Sequence, residues 1–147
     1  MELDDQDFLK EKKQIEKLPD FEQKAFYIKW LGVHTEKTTA RVTALFCYAS
    51  ILYREGDFRK VMEVLMPVVM NYQSYPNSPE LVSCCNQMGL AVNCEAEYDL
   101  ARHYFQLALE AAEKQNLESV YSKLHNNIGL TYYDQNELEA ADREYAQ

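Results

Sequence analysis

The amino-acid sequence predicts an all-α fold of about seven to eight helices, joined as antiparallel pairs and stacked into an array. Three observations lead there. Apolar residues recur at helical spacing, as in Phe21, Ala25, Ile28 and Leu31 at i, i+4, i+7 and i+10. Between such runs lie residues that end and restart helices: Leu18-Pro19-Asp20, Glu55-Gly56-Asp57 and Ser78-Pro79. The chain also repeats itself. Moving residues 124–147 back by 40 lays Gly129 on Gly89, Leu138 on Tyr98, Ala141 on Ala101 and Tyr145 on Phe105; a second shift reaches Ala49, Phe58, Val61 and Leu65. Residue size kept in register without an insertion marks stacked units, each burying its apolar face on the next.

Residues 1–35 read as N-terminal capping helices and 36–147 as three repeats, at about 36–75, 76–115 and 116–147, the last one truncated. In the cap, residues 3–17 place Leu3, Phe8, Leu9 and Ile15 among many charges, a weakly amphipathic leader. After Pro19, which suits a first helical turn, residues 19–33 form a degenerate second helix burying Phe21, Ala25, Ile28 and Leu31, with Trp30 adjacent. The first unit pairs a helix near 36–54, with Leu45, Tyr48, Ala49 and Leu52 on one face, with a helix from Phe58 to Tyr72 that Pro67 should bend. Gly56 supplies the left-handed residue between them and Asp57 the cap.

Ser78 and Pro79 then start the second unit, with helices at 79–94 and 97–115. Ala96 stands where Gly56 stood, and a left-handed backbone there costs on the order of 1 kcal/mol. The third unit pairs 117–134 with a helix from Glu137, turning at Asn136, with Glu139 completing a capping pattern. That last helix lacks a proper end, which points to a longer protein and leaves Ile128, Tyr132, Ala141 and Tyr145 partly bare.

With 24 acidic against 15 basic residues the net charge is −9, which repels polyphosphate and removes the counterion release behind nucleic-acid binding. The acidic start, MELDDQDF, lacks the apolar region of a secretory signal. The most apolar run, Val61–Met70, is about half of what a bilayer span needs and contains Glu63 and Pro67. A cytoplasmic chain without membrane or nucleic-acid partners is expected. Cys47, Cys84, Cys85 and Cys94 fall in helical patterns with no Cys-x-x-Cys, which fits free thiols of a reducing compartment. A redox pair of Cys85 and Cys94 is the sharper alternative, and zinc lacks both spacing and a supporting histidine.

The units resemble tetratricopeptide (TPR) repeats. In the second, the family pattern is met by Cys85, Met88-Gly89, Val92, Ala96, Tyr98, Ala101, Phe105 and Ala108; in the third, by His125, Ile128-Gly129, Tyr132, Asn136, Leu138, Ala141 and Tyr145. The first departs, with Tyr48-Ala49 for Leu-Gly and Val61 for Ala. The resemblance covers about residues 42–147. It implies a right-handed superhelix in which Gly89 and Gly129 on first helices face Ala101 and Ala141 on second helices, letting the backbones approach. The repeat length of 40 exceeds the usual value of about 34 and is similar to the long repeats of bacterial signalling proteins.

The family binds extended peptides or helices along a concave face of first helices. Carried over by register, that groove is Phe46, Ser50 and Tyr53; Asn86, Leu90 and Asn93; and Asn126, Leu130 and Tyr133. Recurring amides at Asn86 and Asn126 would pair with the peptide groups of a ligand, or else Asn126 and Asn127 merely bond neighbouring helices. Where some members hold a ligand's carboxylate with bases, this chain has Phe46, Ser50 and Asn93, with only Lys123 and Arg54 near, so such a clamp is not expected. His34, His103 and His125 lie on separate elements with no nucleophile at a telling spacing, His125 at a packing position, and four glycines form no phosphate loop. The acidic runs read as solvated faces. No catalytic residue, metal or cofactor is expected. What the sequence implies is a protein- or peptide-binding module, the N-terminal part of a cytoplasmic signalling protein. The alternatives are a regulatory domain of an enzyme such as a diguanylate cyclase lying beyond Gln147, and self-association as a homodimer through the open C-terminal face.

Overall fold

A computed structural model describes residues 4–145, with side chains through residue 139. It is all-α: α1 (Asp5–Ile15), α2 (Asp20–Val33), α3 (Thr39–Arg54), α4 (Phe58–Val69), α5 (Pro79–Cys94), α6 (Tyr98–Lys114) and α7 (Tyr121–Tyr145), with short 3₁₀ turns at Tyr72–Ser74 and Glu118–Val120.

From α2 onward each helix packs on the next, and in addition α1 packs on α3, α3 on α5 and α5 on α7. The odd-numbered helices therefore form one layer and the even-numbered helices another. Within the odd layer three side-chain contacts share an offset of 41 residues, Tyr53 with Cys94, Asn86 with Asn127, and Asn93 with Asp134, and Cys84 Sγ reaches the Val42 carbonyl at an offset of 42. Tyr53–Cys94 and Asn93–Asp134 are the same contact 40 residues apart. On the other side Met66 of α4 meets Tyr104 of α6, and Tyr72 of the 3₁₀ turn after α4 meets Glu110 of α6, both at an offset of 38. The nearly constant offset in the odd layer requires α3, α5 and α7 to run parallel and in register.

Equivalent residues make equivalent turns. Gly56 has φ 79° and Ala96 φ 62°. After each, a backbone N–H reaches back to the carbonyl five residues earlier, Asp57 to Leu52 and Glu97 to Val92, both at 3.0 Å, which satisfies carbonyls orphaned at the helix end. The left-handed turn is thus kept even where Ala replaces Gly. Helix starts repeat too: Thr38 Oγ1 accepts from the Arg41 N–H and Ser78 Oγ from the Leu81 N–H. Asp57 caps α4 through the Lys60 N–H, whereas Glu97 makes no such bond.

Burial recurs at the same interval. Leu45, Tyr48, Ala49 and Leu52 of α3 are buried, as are Cys85, Met88, Gly89 and Val92 of α5; Val61, Leu65 and Val68 of α4 match Ala101, Phe105 and Ala108 of α6. The close approach at Gly89, however, is made by Phe105: a Cβ built on Gly89 would lie 2.5 Å from Phe105 Cε1. Ala101 is not among the nearest neighbours of that position.

Two further expectations fail. In α2 the buried face is Gln23, Tyr27, Trp30 and Leu31, while Phe21 is 69% and Ile28 57% exposed, and Ala25 is exposed as well. The cause is α1, which is a packed helix: its buried Phe8 stacks on Phe26 and Trp30 and meets Tyr27 edge-on, and the Gln23 amide donates to the carbonyls of Glu16 and Leu18. This aromatic cluster turns α2 away from the repeat register.

The third unit is not a hairpin. α7 runs unbroken from Tyr121 to Tyr145, through Asn136. Gly129 has nothing within 4 Å of a built Cβ among the described residues and lies on the same helix as Ala141, not on a helix facing it. Asn costs a helix interior well under about 1 kcal/mol relative to Ala. Meanwhile Arg102 of α6 holds the helix on the approach to the expected turn, donating to Thr131 Oγ1 and Gln135 Oε1 and lying 4.1 Å over the Tyr132 ring.

Candidate functional site

The groove residues expected from the sequence fall on three adjacent helices of the odd layer. On α3, Phe46, Ser50 and Tyr53 are half-buried. Ser50 Oγ donates to the Phe46 carbonyl at 2.9 Å. The Tyr53 ring packs edge-on against Phe58, and its hydroxyl lies 3.8 Å from Cys94 Sγ. Burial, and then the thiol, push the Tyr53 phenol up to about 12. On α5, Leu90 and Asn93 are half-buried; Asn93 Nδ2 donates to Asp134 Oδ2 at 2.8 Å, and Asn93 Oδ1 is buried without a partner. On α7, Asn126 is exposed, with Leu130 42% and Tyr133 62% exposed.

By the 40-residue repeat, Ser50, Leu90 and Leu130 hold equivalent positions of α3, α5 and α7, as do Tyr53, Asn93 and Tyr133, with Phe46 one turn before Ser50. Asn86 does not join them as a free amide: it is buried, and its Oδ1 accepts from Asn127 Nδ2 at 2.7 Å. The expected ladder of Asn86 and Asn126 is thereby broken. The interhelical offset of 41 pairs residue 86 with residue 127, one position beyond the sequence repeat. His125, expected at a packing position, is exposed.

A cleft of about 300 Å³ opens where α1 meets α3, lined by Lys12, Glu16, Gln23, Phe46, Cys47, Ser50, Ile51 and Arg54. Phe46 and Ser50 were anticipated; Lys12, Glu16 and Gln23 were not, because the charges of α1 obscured its packed helix. Lys12 Nζ lies 2.8 Å from Glu16 Oε1, and that hydrogen bond raises the lysine pKa. Arg54 pairs with Asp20 at 3.2 Å. The cleft thus sets a phenyl wall beside cations already paired with carboxylates, and the Gln23 amide is committed to the carbonyls of Glu16 and Leu18.

Cys84 and Cys85 are buried, Cys47 half-buried and Cys94 exposed, all as free thiols. Burial pushes the Cys85 thiol up to about 12 and raises those of Cys84 and Cys47. A thiol held protonated is a poor nucleophile. Cys85 therefore has no attacking thiolate to offer Cys94.

Among the described residues no group of three or more His, Cys, Asp or Glu is placed to hold a metal ion, and no helix is long and apolar enough to cross a membrane. The fold and this face together define an all-α array: two helix pairs in a 40-residue register, a two-helix cap before them and a long helix after. No protein-family model, curated protein or solved structure matches the chain.

Proposed function

We propose that the chain is a cytoplasmic, tetratricopeptide-like scaffold whose odd layer is the concave face of a right-handed superhelix and binds an extended segment of a partner protein. The observation that carries this reading is the in-register strip on α3, α5 and α7, where half-buried Phe46, Tyr53 and Leu90 give way to exposed Leu130 and Tyr133. Side chains half-covered in the free protein offer apolar area at little ordering cost.

A displayed library of random peptides, panned on the whole protein, tests it. Enriched peptides should lose about tenfold or more in affinity on a Leu90→Lys, Leu130→Lys, Tyr133→Ala variant, about 1.4 kcal/mol or more. Unchanged binding to that variant places the peptides elsewhere and defeats the reading.

A second reading, self-association through α7, is favoured by its exposed Leu130, Tyr132, Tyr133 and Leu138. Light scattering separates the two: a dimer that Tyr132→Ser, Leu138→Ser dissolves supports self-association, and a monomer across the working concentration range removes it.

A further inference from the structure

A groove apart from the odd-layer strip lies between α4 and the turn joining α5 to α6. It encloses about 600 Å³ and is lined by Arg59, Met62, Glu63, Met66, Glu95 and Glu97. Met62 and Met66 are half-buried and, with Met70 at 67% exposure, recur every four residues along α4, so their thioethers follow one strip of the helix. Tyr104 of α6 stands behind it, its hydroxyl 3.9 Å from the Met66 sulfur. Unbranched, polarisable thioethers mould to apolar surfaces of varied shape.

The rim has a definite sign. Three carboxylates, Glu63, Glu95 and Glu97, face a single guanidinium, Arg59. Glu63 approaches only Lys60, at 3.7 Å on the exposed helix surface, and neither Glu95 nor Glu97 joins an ion pair among the described residues. The chain as a whole carries −9, so its field draws cations toward this rim.

We infer that the α4 methionine groove docks a cationic amphipathic helix of a partner protein. Its apolar residues rest on Met62 and Met66, and its lysines or arginines reach Glu63, Glu95 and Glu97. Length fits a helix: the lining from Arg59 to Met66 follows α4 for roughly 10 Å, about two helical turns. Shape does too, because Met62 and Met66, one turn apart on α4, make an apolar floor that anchors at i and i+3 or i+4 on one face of a helix can cover. The sign of the rim sets the charge of the occupant, since an acidic helix would place like charges together.

The probe is a synthetic helix of about 16 residues with leucines along one face and lysines along the other, titrated into the full chain carrying ¹³C-methyl methionine. The Met62 and Met66 methyl signals should move while that of buried Met88 stays. Affinity read by fluorescence anisotropy should fall about tenfold or more in Glu63→Lys, Glu95→Lys, Glu97→Lys, and again as salt rises from about 50 to about 500 mM. A peptide of equal charge with serine for leucine, and one with glutamate for lysine, should each bind about tenfold or more weakly than the probe. The Leu90→Lys, Tyr133→Ala variant should bind the probe like the parent chain. Equal affinity of either control peptide, unmoved Met62 and Met66 signals, or loss of binding in the Leu90, Tyr133 variant overturns the assignment.

Discussion

Phe105 occupies the space that a side chain at Gly89 would need, with its ring 2.5 to 2.8 Å from where a Cβ would stand. Forty residues upstream the equivalent positions hold Ala49 and Leu65, both fully buried. One unit uses the smallest residue opposite a ring; the other adds a methyl and gives up ring volume. Gly89→Ala alone should therefore cost about 1–3 kcal/mol by overpacking. Adding Phe105→Leu, which copies the upstream pair, should recover most of it, as read by chemical denaturation of the four variants of the cycle.

Ala96 holds a left-handed backbone at φ 62°, where Gly56 sits in the equivalent turn at φ 79°. Ala96→Gly should stabilise the protein by up to about 1 kcal/mol, the relief of the Cβ clash less the entropy glycine adds to the unfolded chain. Gly56→Ala should destabilise by a similar amount. Thermal unfolding of both variants checks the sign.

Arg102 joins α6 to α7 through Thr131, Gln135 and the Tyr132 ring, and also pairs with Asp99 on its own helix. Removing a mostly buried cation with several charge-assisted bonds costs on the order of 2–3 kcal/mol. In Arg102→Ala, amide hydrogen exchange should speed up across residues 121–139 and change little in α3. Uniform acceleration throughout the chain would mean that α7 does not open as a separate unit.

The buried thiols set an alkaline limit. Cys85 ordinarily ionises near 9.0 and is pushed up to about 12 by burial. Below the ordinary value both folded and unfolded states hold the proton, and the contribution is constant. Above it the unfolded chain ionises first, so stability falls by about 1.4 kcal/mol per pH unit for such a thiol until pH reaches the folded value. Denaturation under reducing conditions should be flat from this source between about pH 7 and 8 and weaken above pH 9. Cys85→Ala should shallow that decline. In the native protein, thiol reagents should modify exposed Cys94 first and Cys84 and Cys85 only on unfolding.

The parts of the fold legible in the sequence are those decided locally. Gly56 with Asp57, and Ser78 with Pro79, mark helix ends because each satisfies or removes an orphan backbone group, and the structure places α4 and α5 where they stand. Helical spacing alone does not choose the buried face of α2, because Phe21, Ala25 and Ile28 are as apolar as Tyr27, Trp30 and Leu31. Only Phe8, contributed by a helix whose charges disguised it, decides between them. The turn expected at Asn136 does not form, because a residue that tolerates a left-handed turn also tolerates a helix interior. At the candidate site the strip from Phe46 to Tyr133 followed from the register, but the loss of Asn86 to Asn127 did not, since a 40-residue repeat does not reveal that neighbouring helices meet at an offset of 41.

The layered arrangement is tested most directly by nuclear Overhauser contacts in the intact chain. Cross-peaks are expected between the side chains of Tyr53 and Cys94, Asn86 and Asn127, and Asn93 and Asp134, all at the same offset, together with sequential amide contacts running unbroken through Asn136. Contacts that instead fold residues 137–145 back on residues 121–134, with the Asn86–Asn127 and Asn93–Asp134 peaks missing, would contradict it.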